Sequence, residues 1–206
     1  MRGCRPLSNS EIKRMKNSFR GKLRRRNYAL FLLGINTGFR ISEILSLRLG
    51  DLLEPDGNIK ERITVYKRHM KRKRTSRTIL LNKAAREGIR PWLNELGRKD
   101  IIHKEDYVFR SMRGNYPIDR THCWKILSRC FKEADLKGAL GTHSMRKTFA
   151  NNVYNYFLKK VAGGEPIDAF RLTSKALGHT DLKSTDVYLS FLEEDVDAAI
   201  EHVGIA

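Results

Sequence analysis

The sequence predicts a mainly α fold carrying one small antiparallel β-sheet, an α+β architecture. Three observations lead there. Apolar residues recur at helical spacing behind capping and breaking signals along most of the chain. β-branched runs bounded by turn residues occur as a single adjacent pair. A length of 206 residues, 40% of them hydrophobic, suffices for a real core, and no period of about 20–50 residues repeats to suggest a solenoid.

The elements follow in chain order. Ser8 and Glu11 form a capping box, and Ile12, Met15, Phe19 and Leu23 continue it at helical spacing. A second helix runs through YALFLLGIN and stops near Thr37-Gly38; a third begins around Arg40 with SEILSL. EPDGN at 54–58 is a turn that introduces the strand ITVY at 63–66, and RTILL at 77–81 is its partner. The basic run 67–76 is then the hairpin loop. Helices are expected at about 83–96, 120–135, 143–160 and 167–177, with KKVAGGEPID at 159–168 as a surface loop and Thr142 as an N-cap. A last helix at about 190–203 aligns Leu192, Val196, Ala199, Ile200 and Val203 on one stripe. Residues 1–6 read as a basic extension and 7–206 as one domain.

Lys and Arg number 41 against 23 Asp and Glu, a formal net charge of +18. A folded surface with that excess repels itself, and a polyanion relieves it, either nucleic acid or an anionic membrane. The longest apolar run, Tyr28 to Ile35, is far shorter than the roughly 20 residues that span a bilayer, so no membrane is expected. The basic start MRGCRPLSNSE lacks the apolar region of a secretion signal, which predicts a cytoplasmic, nucleoid-associated protein. Cys4, Cys123 and Cys130 have no metal-ligand spacing, and the six histidines form no HExxH, so the chemistry is expected to need neither metal nor cofactor. The charge is also segregated. Residues 1–26 hold ten Lys/Arg and one acid, 67–77 hold seven Lys/Arg and no acid, and 193–206 hold five acids and no Lys or Arg.

Three stretches put cationic, histidine or phenolic groups where a core needs none. In TGFRISEILSLRLGD (37–51), Arg40 stands at the start of a helix whose Ile41, Ile44, Leu45 and Leu47 pack. A fork-shaped guanidinium beside helix N-terminal amides suits a phosphate, although a solvated surface Arg reads the same way. In THSMRKTFANN (142–152), His143 and Arg146 are three apart on one helical face and together can donate to two oxygens of one phosphate; a plain surface pair also fits. In KALGHTDLKSTDVYLSFLEE (175–194), Gly178 ends a helix, His179 follows, and Tyr188 comes nine residues later among Val187, Leu189 and Phe191. There the plain reading is a half-buried core tyrosine, since a phenol is a poor nucleophile without a strong electrostatic site.

In this order and spacing, the residues resemble the catalytic domain of the tyrosine recombinase (phage integrase) family: Arg40 in TGFRISEIL, His143 and Arg146 in HSMR, His179 in LGH, and Tyr188 nine positions on. The resemblance runs from Leu7 to about Val203 and implies the integrase catalytic-domain fold. It implies that Arg40 and Arg146 grip the scissile phosphate, that His143 acts in proton transfer or hydrogen bonding, that His179 donates to a phosphate oxygen, and that Tyr188 attacks to give a 3′-phosphotyrosyl bond and a free 5′-hydroxyl. The family's general-acid lysine lies in the hairpin loop. Counting back from the second strand reaches Arg72, flanked by Lys71 and Lys73; Lys71 is favoured and Lys73 stays open. The remaining loop cations Lys67, Arg68, Arg72, Lys73, Arg74 and Arg77 are expected along the DNA backbone, and Glu43 in a supporting role.

The implied partners are double-stranded DNA and further copies of the chain. The resemblance points to a tetramer on DNA with the last helix docked in trans, while packing on its own domain stays open. Two features depart from the family pattern. Arg146 and His179 are 33 residues apart, which is long, and little precedes Leu7 where members carry a core-binding domain. That is expected either of a short enzyme like the fimbrial-switch invertases or of a piece of a longer chain. The expected function is site-specific DNA recombination (integration, excision or inversion). A DNA-binding regulator without turnover and a type IB topoisomerase-like strand transferase are the alternatives.

Overall fold

The computed structural model describes residues 3–66, 76–99, 103–178, Thr185 and Leu189. They form two compact units that part between Phe149 and Ala150. Helix α1 (Asn9–Lys16) carries the predicted capping box: Ser8 Oγ accepts from the Glu11 amide at 3.2 Å and Glu11 Oε2 accepts from the Ser8 amide at 2.8 Å. The helix ends well before Leu23, because the Asn17 and Ser18 amides turn back onto the Arg14 and Met15 carbonyls. Phe19 is buried all the same, 5.5 and 5.6 Å between ring centroids from Tyr28 and Phe31. Residues 5–7, expected at the edge of a free extension, are tied down. The Arg5 amide donates to Ala139 O at 2.9 Å and the Leu7 amide to Thr148 Oγ1 at 2.9 Å.

Helix α2 (Arg24–Thr37) is the centre of the first unit. Ala29, Leu30, Phe31, Leu33 and Ile35 are buried around most of its circumference, the pattern of a helix enclosed on all sides rather than laid on a surface. Helix α5 (Lys83–Lys99), three residues longer than expected, packs along it. Two short helices, α3 (Ile41–Leu45) and α4 (Leu49–Leu52), lead to the sheet. As predicted, β1 (Arg62–Val65) and β2 (Arg77–Leu80) are antiparallel, with Ile63 facing Ile79 and Val65 facing Arg77. The Trp92 indole, buried in the core, donates to Val108 O at 2.8 Å, so its one polar atom is satisfied.

Helix α6 (Arg120–Glu133) is capped by Asp119, whose carboxylate accepts from the His122 amide at 2.7 Å. Helix α7 (Thr142–Ala162) begins at Thr142 itself. The hydroxyl that closes its first turn is not the predicted Thr142 but Ser144, which accepts from the Gly141 amide at 3.1 Å. At its far end α7 takes in residues 159–162, so the predicted loop shrinks to 163–168. In the second unit, α8 (Ala169–Leu177) is stopped by Gly178 in the left-handed conformation, as its sequence predicts, and is capped by Asp168. The helix expected at 190–203 lies outside the described residues. In the first unit, α2 and α7 meet where Gly34 faces Met145. A Cβ on Gly34 would lie 2.6 Å from the Met145 sulfur, so the close approach requires glycine.

Candidate active site

The site is built on the end of α2. Gly38 terminates that helix at φ 59°, a left-handed conformation that glycine adopts without strain. A Cβ there would also stand 2.3 Å from Cδ1 of Phe149. The last carbonyls of a helix lack intrahelical donors and form the negative end of its dipole, which favours cations. Arg77, from β2, donates through Nη2 to Thr37 O at 2.9 Å and through Nη1 to Gly38 O at 3.5 Å. Arg146, from the second turn of α7, donates through Nη1 to the same Gly38 oxygen.

Arg40 follows two residues later as the extended N-cap of α3. Its backbone amide donates to Glu43 Oε2 at 2.7 Å and its guanidinium Nη1 lies 3.3 Å from Glu43 Oε1. Glu43 is 2% exposed, so this carboxylate both caps the helix and holds the arginine from below. The Arg40 side chain remains 32% exposed; it is a half-buried, oriented cation and not a loose surface one. Arg146 is 1% exposed. His143, one turn earlier on α7, is exposed to solvent, yet desolvation at its protein side and the cations Arg146, Arg40 and Lys147 hold it below the usual histidine range. It is therefore neutral at pH 7, with one nitrogen able to donate and one to accept.

The electrostatic balance is lopsided. Burial first, and then repulsion from Arg146 and Arg40, bring Arg77 down to about 9, with Glu43 pulling the other way. It still carries its charge at pH 7. Lys147, next in sequence to Arg146, is buried and also lowered by desolvation. Arg40, Arg77 and Arg146 thus share one nearby acid, Glu43, among the described residues. An arrangement of donors with so little compensating charge is suited to an anion.

Of the residues singled out from sequence, the structure brings together Arg40, His143, Arg146 and Glu43. Arg77 is a correction. Expected along the DNA backbone, it is only 8% exposed and faces inward, because strand alternation puts it opposite Val65, itself 1% exposed. That alternation was the available signal, since Arg77 takes the inward register that Ile79 shares. Lys147 was not singled out, and nothing in its local pattern marks it as buried. Lys67, Arg68, Lys71, Arg72, Lys73, Arg74, His179 and Tyr188 lie outside the described residues. No group of three or more His, Cys, Asp or Glu side chains that would hold a metal occurs among the described residues. Burial pushes the Cys123 thiol up to about 12, which makes it an inert core group.

A helical fold with this two-stranded sheet is that of the tyrosine recombinase catalytic domain. The crystal structure of XerA recombinase superposes with a TM-score of 0.69 at 22% identity, covering 99% of this chain and 66% of that one. XerH site-specific recombinase bound to palindromic difH substrate gives 0.68 at 22%, covering 95% and 52%. The phage integrase family model matches residues 5–194, and the chain belongs to that family. Tyrosine recombinase XerC of Caldanaerobacter subterraneus subsp. tengcongensis is 29% identical over 183 residues, 88% of this chain and 46% of its own length. The type 1 fimbriae regulatory protein FimB of Escherichia coli K12 is 30% identical over 184 residues, 88% of this chain and 82% of its own. The chain thus spans about half the length of XerC, though most of FimB.

Proposed function

We propose that the chain is a metal-independent DNA strand transferase, a site-specific recombinase that cuts and rejoins double-stranded DNA through a 3′-phosphotyrosyl link. The observation that carries this reading is the cluster of Arg40, Arg146 and His143 around the α2–α3 junction, in the chain order of the family. Arg146, rigid and buried, and Arg40, at the rim, hold the non-bridging oxygens of one phosphate, and fixed donors of this kind are the largest single contribution where charge develops. The Tyr188 hydroxyl oxygen attacks phosphorus as its proton passes to neutral His143, the P–O5′ bond breaks, and Lys71 or Lys73 gives a proton to the departing 5′-oxygen. His143 and His179 complete the hydrogen bonding to the phosphate. The phosphotyrosyl bond keeps the energy of the phosphodiester, so a new 5′-hydroxyl can displace it without ATP.

Lys67, Arg68, Arg72 and Arg74 line the backbone beside the cut. The acidic last helix docks on a neighbouring copy, giving a tetramer on DNA. The names of the relatives support DNA as the substrate: XerH is described on its difH site and a lambda integrase dimer on a core site. The test is a nicked suicide duplex carrying a site selected from random sequence by binding. A covalent adduct is expected in the presence of a chelator and is lost in Tyr188→Phe. An adduct that survives Tyr188→Phe refutes the nucleophile. No adduct on DNA that is tightly bound makes the chain a binding regulator.

A further inference from the structure

Arg77 remains unexplained by the strand-transfer scheme. It is 8% exposed and comes from the sheet, not from either helix that supplies the phosphate grip. It meets one short segment at three points. Nη2 donates to Thr37 O at 2.9 Å, Nη1 to Gly38 O at 3.5 Å, and its Cζ stands 4.9 Å from the centroid of the Phe39 ring. The next residue is Arg40. The Gly38 oxygen also accepts from Arg146, so one carbonyl anchors two guanidiniums that repel each other. A buried charge beside like charges is a costly way to pack a sheet against a helix, and an apolar side chain of similar volume fills such space at least as well. The arrangement is favourable once an anion completes it.

We infer that Arg77 is a positioning residue for strand transfer: it clamps the Thr37-Gly38-Phe39 turn and shares the Gly38 carbonyl with Arg146, which sets Arg40 and Arg146 at one height against one scissile phosphate. The inference rests on the strand-transfer reading above. Arg77 itself does not touch the phosphate; it acts through the two arginines that do. Small misplacements of such groups are enough to slow a reaction that depends on alignment.

Single-turnover cleavage of the suicide duplex, duplex binding and thermal melting are compared for the unaltered chain, Arg77→Met, Arg77→Lys, Arg146→Ala and the double variant Arg77→Met/Arg146→Ala. Arg77→Met is expected to bind the duplex within about threefold of the unaltered chain and to cleave on the order of 100-fold more slowly. Arg77→Lys, which keeps the charge and one donor, is expected to regain about tenfold of that loss. In the Arg146→Ala background, Arg77→Met is expected to cost less than about threefold, because the group it positions is gone. A scissile methylphosphonate, which removes the charge the arginines meet, should narrow the gap between Arg77→Met and the unaltered chain. A packing role predicts a lower Tm with an unchanged rate per folded molecule.

Cleavage by folded Arg77→Met at the unaltered rate overturns the inference, as does a full multiplicative loss in the double variant. If Arg77→Met does not fold, Arg77→Lys decides: about tenfold slower cleavage with unchanged binding and Tm supports positioning, and an unaltered rate overturns it. A chain that forms no adduct before any substitution overturns the strand-transfer reading, and that result is distinct from these.

Discussion

Gly38 shows how much of the site depends on one residue without a side chain. It combines a positive φ with a Phe149 ring 2.3 Å from where a Cβ would stand. Gly38→Ala is expected to lower stability by about 1–3 kcal/mol and to slow adduct formation, both read on one preparation by thermal melting and suicide-duplex cleavage. His143 carries a second prediction at this scale. Desolvation and three cations keep its pKa below 6.5, so in the free protein the imidazole should titrate below that value by NMR. A bound phosphate reverses the sign by adding negative charge, so the midpoint should rise on DNA and binding should take up a proton at mildly acidic pH. An unchanged midpoint in the complex would place His143 away from the phosphate. Arg40, His143 and Arg146 were legible in the sequence because motif order carries them. Arg77 was not, because a cation at the end of a basic run reads as loop surface until the strand register turns it inward.

Among the elements, α1 has the most clearly written start. Arg5 pairs with Glu11 at 2.6 Å, and this contact, followed by the Ser8 hydrogen bonds, lowers the Glu11 carboxyl to about 2 from 4.5. The carboxylate is thus favoured by folding. Its contribution is fully present above pH 4.5 and is lost as pH falls from 4.5 through about 2. Glu11→Gln should therefore cost about 1–2 kcal/mol at pH 7 and almost nothing near pH 2, measured by urea unfolding across pH. A difference that persists unchanged at pH 2 would assign the effect to packing. The Ser8/Glu11 start was legible because a cap is a local hydrogen bond; Asp119 and Asp168 cap α6 and α8 by the same chemistry. The end of α1 was not, since Phe19 keeps the helical spacing but reaches the core from outside the helix.

For the whole molecule, a net charge of +18 overstates what is free to meet DNA. Arg26, Arg77 and Arg146 are 2%, 8% and 1% exposed, and Arg5 and Arg25 are paired with Glu11 and Glu95. Lys22 and Arg24 are exposed, on the same basic segment as buried Arg26. Replacing Lys22 and Arg24 by Ala is expected to reduce the slope of log K against log salt by about 0.9 for each phosphate no longer neutralised. Arg26→Met, which ends a hydrogen bond to Arg110 O, should leave the slope unchanged. Equal slopes for all three chains would remove this segment from the DNA interface.

By itself the sequence determined the fold class, the hairpin, most helix starts, the family, and the motif order that singles out Arg40, His143 and Arg146. All of these follow from local periodicity, capping chemistry and the spacing of motifs. Only the tertiary structure decided which of many cations are surface charge and which are internal parts of the site. That outcome depends on segments far apart in the chain, such as Arg77 and Arg146 meeting on the Gly38 carbonyl, 39 and 108 residues away. Local sequence records the charge of each arginine, and burial beside a helix end fixes what that charge does.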